Sequence, residues 1–466
     1  MAISPNYKNP IPKFFIYCGL TLLGLGMVFG IMGGLQYVIP EFLKESFSFV
    51  KTRPLHVSSV VFWIMFSAMG GVLTYLQEHT GKRIFSIVLL KIQFALFTVT
   101  IPLILISYCL GIFGGREYWE YPPQLSLPII LAWICFLINF FLSIGSFKKQ
   151  PVYVWMWLTG ICFFLFTFLE SYLWIFPYFR NSVVNDMTIQ WKSYGSMVGS
   201  WNMLIYGCSI FLMDKISGDK NYSHSRLAFA LYFTGLFNLL FNWGHHIYTL
   251  PTHSFIKQIS YGVSMTELVI LGGIIFQWKK SVTTAQKYYF KHSYRFLAAA
   301  DVWIFLNLIL AILMSVPAIN VYTHGTHITV AHAMGTTIGI NTMLLLAVSY
   351  DTLSDTCQSF DSYKKITTVG FWTANSSLLL FWISLIIAGI LKSKWQMSQA
   401  QLPFGIMMES LRPFFIIFFM AGCTLMCGIM ATIYPLVKNQ WVCYQRNNRA
   451  RKYQKTNHFV IDPSNN

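Results

Sequence analysis

The chain has 466 residues, of which 55% are hydrophobic and only 11% are charged, and its formal net charge is +17. A soluble domain carries roughly 25% charged residues, so this composition excludes an ordinary water-soluble globular protein. Basic residues collect in the cytoplasmic loops of membrane proteins, so the positive charge does not require a nucleic-acid partner, and we expect none.

Apolar runs long enough to cross a membrane recur along nearly the whole chain, and we count about twelve of them. The first begins near Phe14 without a small-residue cleavage site after it, which indicates a retained helix and not a signal peptide. We predict spans at about 14–38, 54–78, 84–113, 124–146, 152–178, 190–213, 224–250, 256–277, 296–317, 323–349, 366–391 and 411–436.

Short linkers between these runs predict a single all-α membrane domain over residues 14–437. It is preceded by a short N-terminal segment at 1–13 and followed by a polar tail at 438–466, which we expect to lack regular structure. Twelve spans place both termini on the same side of the membrane. Of the 33 Lys and Arg residues, 22 lie on that side, ten lie on the other side, and Lys91 lies inside a span. The basic side of a membrane protein faces the cytoplasm, so both termini are predicted to be cytoplasmic.

Metal-ligating side chains occur at similar depth in several predicted spans. His56 lies near the outer end of the second span, and His245 and His246 lie near the outer end of the seventh. His332 and Met334 lie in the outer part of the tenth span, so with a rise of 1.5 Å per residue all these side chains are expected at a similar depth. Polar groups inside a membrane are costly and usually mark function, so this layer is the candidate site.

The spacing of His332 and Met334 predicts that they face opposite sides of their helix, because two residues correspond to about 200° of rotation. Such a helix can stand between two hemes. His56 and Met334 would then ligate one heme iron, and a Met ligand raises the potential relative to two histidines. His332 would ligate the second heme, and the adjacent His245 and His246 could bind iron, copper or zinc opposite its open face.

The chain resembles the catalytic subunit of cytochrome c-dependent nitric oxide reductase, in the heme-copper oxidase superfamily. The resemblance extends from about Ile31 to Arg451. The matching stretches are Gly34–Val38, Arg53–His56, Gly115–Pro122, Gly244–His246 and Tyr322–Thr326. It implies a bundle like subunit I of the heme-copper oxidases, with two b-type hemes, one low-spin and one high-spin.

The resemblance also implies roles for individual residues. His56 is expected to ligate the low-spin heme and His332 the high-spin heme, with His245 and His246 as ligands of a non-heme iron. The remaining residues would surround this centre: Arg116 and His324 near the heme propionates, Glu117 beside a bridging calcium ion, and Glu267 buried near the active site. In the family, two NO are converted to N2O and water with two electrons and two protons.

Departures from the family pattern concentrate on the non-heme metal. The second His of the family's His-x-His motif is Met334 here, the third iron-ligating His is replaced by Tyr194, and the iron-site Glu is replaced by Val198. Tyr194 could ligate ferric iron as a phenolate, as Tyr does in some heme proteins, or it could be an interfacial aromatic residue.

The sequence therefore predicts a heme-containing oxidoreductase of the bacterial inner membrane that reduces NO. The nine cysteines include no CxxCH site, so electrons must come from a membrane-anchored cytochrome c subunit or another donor. Two alternatives stay open. One is other gas chemistry, either NO dismutation or O2 reduction, and the other is a non-catalytic heme protein that binds a gas or transfers electrons.

Overall fold

Helices account for every regular element in the part of the chain that the structure describes, a computed structural model covering residues 9–353, 363–398 and 402–458. Eleven helices in these ranges are long and apolar enough to cross a membrane. The long helices are α1 (Ile11–Val38), α2 (Phe49–Thr80), α3 (Ile87–Cys109), α4 (Ser126–Ile144), α5 (Val152–Glu170), α6 (Val183–Ser217), α7 (Arg226–Phe241), α8 (Ser254–Ser281), α9 (Lys291–Ser315), α10 (His327–Thr352), α11 (Lys364–Gln396) and α12 (Phe404–His458).

These helices confirm the predicted all-α membrane architecture. The eighth predicted span, 256–277, coincides with α8, but many side chains of that helix lie outside the described residues, and it is not among the eleven. The expectation that the tail after Lys438 lacks regular structure was wrong, because α12 continues to His458. Its tail segment, rich in Arg, Lys, Gln and Asn, consists largely of residues with adequate helix propensity.

Glycines allow α1 to pack directly against α2. A Cβ atom at Gly19, Gly26 or Gly30 would lie 2.4–2.7 Å from side-chain atoms of α2. Gly26 and Gly30 are four residues apart, which is the spacing by which small residues bring two membrane helices together. A Cβ atom on Gly30 would lie 2.7 Å from Nδ1 of His56. The absence of a side chain at Gly30 therefore makes room for a candidate ligand.

The helix α2 lies at the centre of the bundle, with 89% of its most apolar window buried. Near its middle, Trp63 Nε1 donates to Thr342 Oγ1 of α10 at 3.2 Å. At its far end the ammonium group of Lys215 on α6 lies 3.1 Å from Glu78 and 2.8 Å from Asp351 of α10. Charged and polar contacts therefore fix α2, α6 and α10 relative to one another at the end opposite the candidate ligands.

The α-helical hydrogen bonding of α10 is interrupted by a π-helical segment, Gly335–Thr342. Its two glycines face α9, where a Cβ at Gly335 would lie 2.2 Å from Asn307 and one at Gly339 would lie 2.5 Å from Trp303. Wide π turns inside α-helices occur frequently at functional sites. This one begins directly after Met334.

Candidate heme and metal centre

His56 is held by the backbone of the neighbouring helix. Its Nδ1 lies 2.7 Å from the carbonyl oxygen of Gly26. A carbonyl only accepts hydrogen bonds, so Nδ1 must carry the proton and Nε2 must have a free lone pair. A metal-ligating histidine is typically oriented in this way, with its second nitrogen bound to a backbone carbonyl.

His332 lies in the first, α-helical part of α10, and its buried Nδ1 has no side-chain partner among the described residues, while the backbone of Asn307 lies beside its ring. Met334 is partly buried and packs against the main hydrophobic core. Because both residues precede the π-helical segment, the rotation between them is that of an ordinary α-helix, as the opposite-face prediction requires.

His245 and His246 follow the end of α7 in a short 3-10 segment, Asn242–Ile247. Their predicted position near the outer end of the seventh span is confirmed, because the membrane-crossing segment is Arg226–Ile247 and the 3-10 turn forms its last part. His245 Nδ1 lies 3.1 Å from Oδ1 of Asn242, which can only accept. The other nitrogen of His245, Nε2, therefore has a free lone pair, as in His56.

Aromatic rings surround His246 on several sides. Its ring is stacked on Trp191 with centroids 4.4 Å apart and planes 7° apart, and it lies 4.1 Å from the ring of His245. The ring of His324 lies 5.9 Å from His246 and 5.8 Å from Trp191. Electrostatic interactions connect His332 with both His245 and His246, so four histidines converge on this region.

The predicted metal ligand Tyr194 faces a different set of side chains. Its ring makes an edge contact with Tyr118 at 5.2 Å, and it lines a small cavity with Val198 and other apolar or aromatic residues. In the described ranges, no group of three or more His, Cys, Asp or Glu residues is placed so that it could hold a metal ion.

The loop between α3 and α4 carries two further predicted residues. Arg116 pairs with Asp186 at 2.9 Å and covers the ring of Trp174, but its Nε is buried without a partner in the described structure. Glu117 is 3.0 Å from Arg53. A calcium ion at Glu117 would compete with this guanidinium.

Arg53 also lies 2.6 Å from Glu120, whose second carboxylate oxygen is buried without a partner in the described structure. Burial raises the pKa of Glu120, and Arg53 opposes that effect. Burial also lowers the pKa of His324, so its imidazole is neutral at physiological pH. Glu267 lies in α8, but its side chain is outside the described residues.

Sequence reasoning missed the residues that position the ligands. Trp191, Asn242 and Arg53 each orient a candidate site residue, yet none has a local signature, because each acts across a tertiary contact. One signal was available in the sequence: Gly30 follows Gly26 by four residues in an apolar run, a spacing that indicates close packing of two membrane helices.

Comparison with known proteins gives the chain a family. Residues 11–424 match the model described as cytochrome c and quinol oxidase polypeptide I. The chain belongs to this family. Its members are membrane oxidoreductases of the heme-copper oxidase superfamily, which bind hemes and a metal centre.

The individual relatives share little sequence identity with this chain. A nitric oxide reductase subunit from Stutzerimonas stutzeri is 22% identical over 449 residues, covering 90% of this chain and 92% of that protein. The cbb3-type cytochrome c oxidase subunit CcoN1 of the same organism is 21% identical over 477 residues, covering 94% and 96%. The cryo-EM structure of a heme-copper terminal oxidase dimer has a similar fold, with a TM-score of 0.71, 14% identity, and coverage of 93% of this chain and 84% of that one.

The residues present fit the hemes of this family better than they fit its metal. His56 has a free Nε2 fixed by Gly26, and His332 has a buried imidazole that no described side chain contacts by a hydrogen bond. For a non-heme metal, His245 and His246 supply two imidazoles, and no third His, Cys, Asp or Glu in the described residues completes the group. The donor set for that metal is therefore incomplete.

Proposed function

We propose that this protein is an NO-reducing membrane oxidoreductase, in which His332 holds a high-spin b-type heme and His56 and Met334 hold a low-spin one. The observation that carries the proposal is the convergence of His332, His245 and His246 at one end of the bundle, the end at which α2 carries His56. A heme held by His332 would supply the iron chemistry for binding NO, and a heme held by His56 and Met334 would supply electrons.

The side chains of this chain would prepare that site. Gly26 fixes the tautomer of His56, Asn242 fixes that of His245, and Trp191 holds the ring of His246 in place. With its Nδ1 proton engaged, His245 presents an unprotonated Nε2. The Nε–H group of Arg116, which has no partner in the described structure, would donate a hydrogen bond to one heme propionate, and His324 would donate to another. No step is assigned to a non-heme iron.

Electrons would enter from the face that carries the ligands, from a membrane-anchored cytochrome c subunit or a separate c-type cytochrome. The protein would lie in the bacterial inner membrane with both termini in the cytoplasm.

The test is anaerobic NO consumption by the purified, heme-loaded protein with a reduced cytochrome c donor. Formation of one N2O for every two NO consumed supports the proposal. His332→Ala should abolish consumption and remove the high-spin heme, while the low-spin heme at His56 persists. Formation of N2 and O2, or no turnover of NO while O2 is consumed, would contradict it.

A second function, gas binding or electron transfer without catalysis, is favoured by one observation. Val198 and Tyr194 line an apolar and aromatic cavity instead of supplying a carboxylate and an imidazole. Iron quantification separates the two functions. Two hemes together with one non-heme iron support the reductase, and in that case Tyr194→Phe should lower the non-heme iron if the phenol is a ligand. Two hemes alone support the non-catalytic protein.

A further inference from the structure

Three lysines without an acidic partner lie at one end of the helix pair α11 and α12, and together they form the lysine cluster. Lys364 and Lys365 are the first residues of α11, and Lys438 lies near the end of the apolar part of α12. All three are exposed, and none of them forms an ion pair with another residue of the described ranges. Lys215, by contrast, bridges two carboxylates. The lysine cluster therefore presents uncompensated positive charge.

Close packing of α11 against α12 brings these lysines together. A Cβ atom at Gly370 would lie 2.8 Å from the Cβ atom of Ala431, so the two backbones approach each other closely. The ring of Tyr363, which directly precedes Lys364, lies 6.2 Å from the ring of Tyr434. The beginning of α11 therefore lies beside the last apolar turns of α12.

A phenol group belongs to the same surface. The ammonium group of Lys438 donates a hydrogen bond to the hydroxyl oxygen of Tyr434 at 2.8 Å and lies 5.3 Å from the centre of its ring. Because the hydroxyl oxygen accepts this bond, the hydroxyl proton of Tyr434 is free to be donated elsewhere. An anion at this surface would thus meet both ammonium groups and a hydroxyl donor.

Exposed apolar side chains continue from the lysine cluster along both helices. On α11, Val369 and Trp372 share a face with Lys365, at spacings of four and seven residues, and both are more than half exposed. The corresponding exposed residues of α12 also follow helical spacing, and they are Met430, Tyr434, Val437 and Trp441.

The aromatic residues locate the lysine cluster at the level of the lipid headgroups. Tyr and Trp are enriched where a membrane meets water, and Tyr434 and Trp441 are both exposed in the last apolar turns of α12. Trp372 lies eight residues after Lys364, about 12 Å deeper at 1.5 Å per residue. The charges therefore face headgroups, and the apolar faces below them face acyl chains.

The lysine cluster lies at the end of the bundle that carries the N-terminus and the end of α12. Tyr17 of α1 donates to Gln440 of α12 at 3.0 Å, and the backbone of Asn9 donates to Gln77 near the end of α2 at 2.7 Å. His56 lies near the beginning of α2, at the opposite end. The lysine cluster is therefore separate from the candidate heme and metal centre.

The chemistry of this surface selects one class of lipid. A zwitterionic lipid neutralises its phosphate with its own cation, whereas an anionic lipid keeps a net negative charge that lysines near the membrane surface attract. Free phosphate would pair with the lysines but would leave the apolar faces of α11 and α12 uncovered. An anionic lipid satisfies both parts of the surface.

We propose that the lysine cluster and the adjoining exposed faces of α11 and α12 bind an anionic glycerophospholipid. The phosphodiester pairs with Lys365 and Lys438 and accepts a hydrogen bond from Tyr434. The acyl chains lie along Val369 and Trp372 of α11. This site goes beyond the proposed function, because it concerns the lipid partner of the bundle and not its redox chemistry.

The experiment measures binding of phosphatidylglycerol to the full-length, heme-loaded protein by native mass spectrometry, with phosphatidylcholine as the zwitterionic comparison. The unmodified protein should retain phosphatidylglycerol in preference to phosphatidylcholine. The double variant Lys365→Gln/Lys438→Gln should bind phosphatidylglycerol about tenfold more weakly, because two cations that pair with the phosphate are lost. Inorganic phosphate should not displace the lipid, because it does not cover the apolar faces.

The matched control is Lys148→Gln/Lys149→Gln, which removes two exposed lysines from the loop between α4 and α5. That loop lies at the same end of the bundle, where Gln150 contacts His79 at 2.8 Å. The control should bind phosphatidylglycerol as the unmodified protein does. Equal weakening in the two double variants would show a general effect of charge and would overturn the proposal.

A milder variant covers the case in which the double variant fails to fold or loses heme. Tyr434→Phe keeps the aromatic ring and all three lysines, and it should weaken binding about threefold through the loss of one hydrogen bond. Unchanged binding in Tyr434→Phe, equal retention of the two lipids by the unmodified protein, or displacement of the lipid by phosphate would each contradict the lipid site.

Discussion

At His56 a candidate heme ligand is positioned by a backbone carbonyl and a missing side chain. Gly26 accepts the Nδ1 proton at 2.7 Å, and Gly30 leaves the space that the imidazole ring occupies. Both contributions come from α1, whereas the ligand belongs to α2. The position of the candidate iron ligand therefore depends on how closely these two helices approach.

Gly30→Ala should displace His56, because the new Cβ would lie 2.7 Å from Nδ1. Overpacking of this kind costs about 1–3 kcal/mol, and part of that strain can be relieved by rotating the imidazole away from the heme. We expect a loss of low-spin heme, measured by pyridine hemochrome and low-temperature absorption spectra. Gly24→Ala is the control, since its Cβ would meet Met430 at an ordinary 3.8 Å; equal heme content in the two variants would contradict the assignment.

Met334 should give the low-spin heme a His/Met charge-transfer band in the near infrared. Met334→His should replace that band with a bis-His signature and lower the midpoint potential, because a thioether ligand favours ferrous iron more than an imidazole does. The measurement is near-infrared magnetic circular dichroism with a redox titration. A bis-His signature in the unmodified protein would show that another residue ligates this iron.

At the scale of elements, the start of α2 is tied to the loop between α3 and α4 by Arg53. Its guanidinium bridges Glu117 and Glu120, and of the two carboxylates only Glu120 is largely buried. This contact orients the loop that carries Arg116, so a residue outside the ligand set controls the predicted propionate contact.

Arg53→Gln should destabilise the protein by about 1–2 kcal/mol at pH 7.5, because a half-exposed cation is lost from a buried carboxylate. Without Arg53, burial is unopposed and the pKa of Glu120 rises further above that of the unfolded chain. The loss should therefore be smaller at pH 5 than at pH 7.5, because protonation of Glu120 at lower pH removes the charge that Arg53 pairs with. Thermal melting at both pH values measures this effect. Lys44→Gln, which removes an exposed ion pair with Glu41, should show little change at either pH.

Some elements of the site could be predicted from the sequence, and others could not. The similar depth of His56 and His332 follows from helical rise along apolar runs, which needs no tertiary information. The 3-10 turn at His245 and the π-helical segment after Met334 have no comparable signal. They depend on contacts with other helices, such as Gly335 against Asn307, that no local pattern encodes.

At the scale of the whole molecule, the two ends of the bundle carry different chemistry. One end carries the imidazole and thioether groups of the candidate ligands, and the other carries the ion pairs of Lys215 with Glu78 and Asp351. The ion pairs connect α2, α6 and α10, of which α2 and α10 carry the candidate heme ligands. The ion pairs of Lys215 therefore fix the positions of α2 and α10, the helices with the candidate ligands, relative to each other.

The orientation of this bundle in the membrane is the last prediction. The tail after Lys438 should be cytoplasmic, because 22 of the 33 Lys and Arg residues lie on the side of the termini. In right-side-out vesicles trypsin should leave the tail intact and cut the loop after α1, where Lys44 is exposed. In inside-out vesicles the pattern should reverse. Cleavage of the tail in right-side-out vesicles would show the opposite topology.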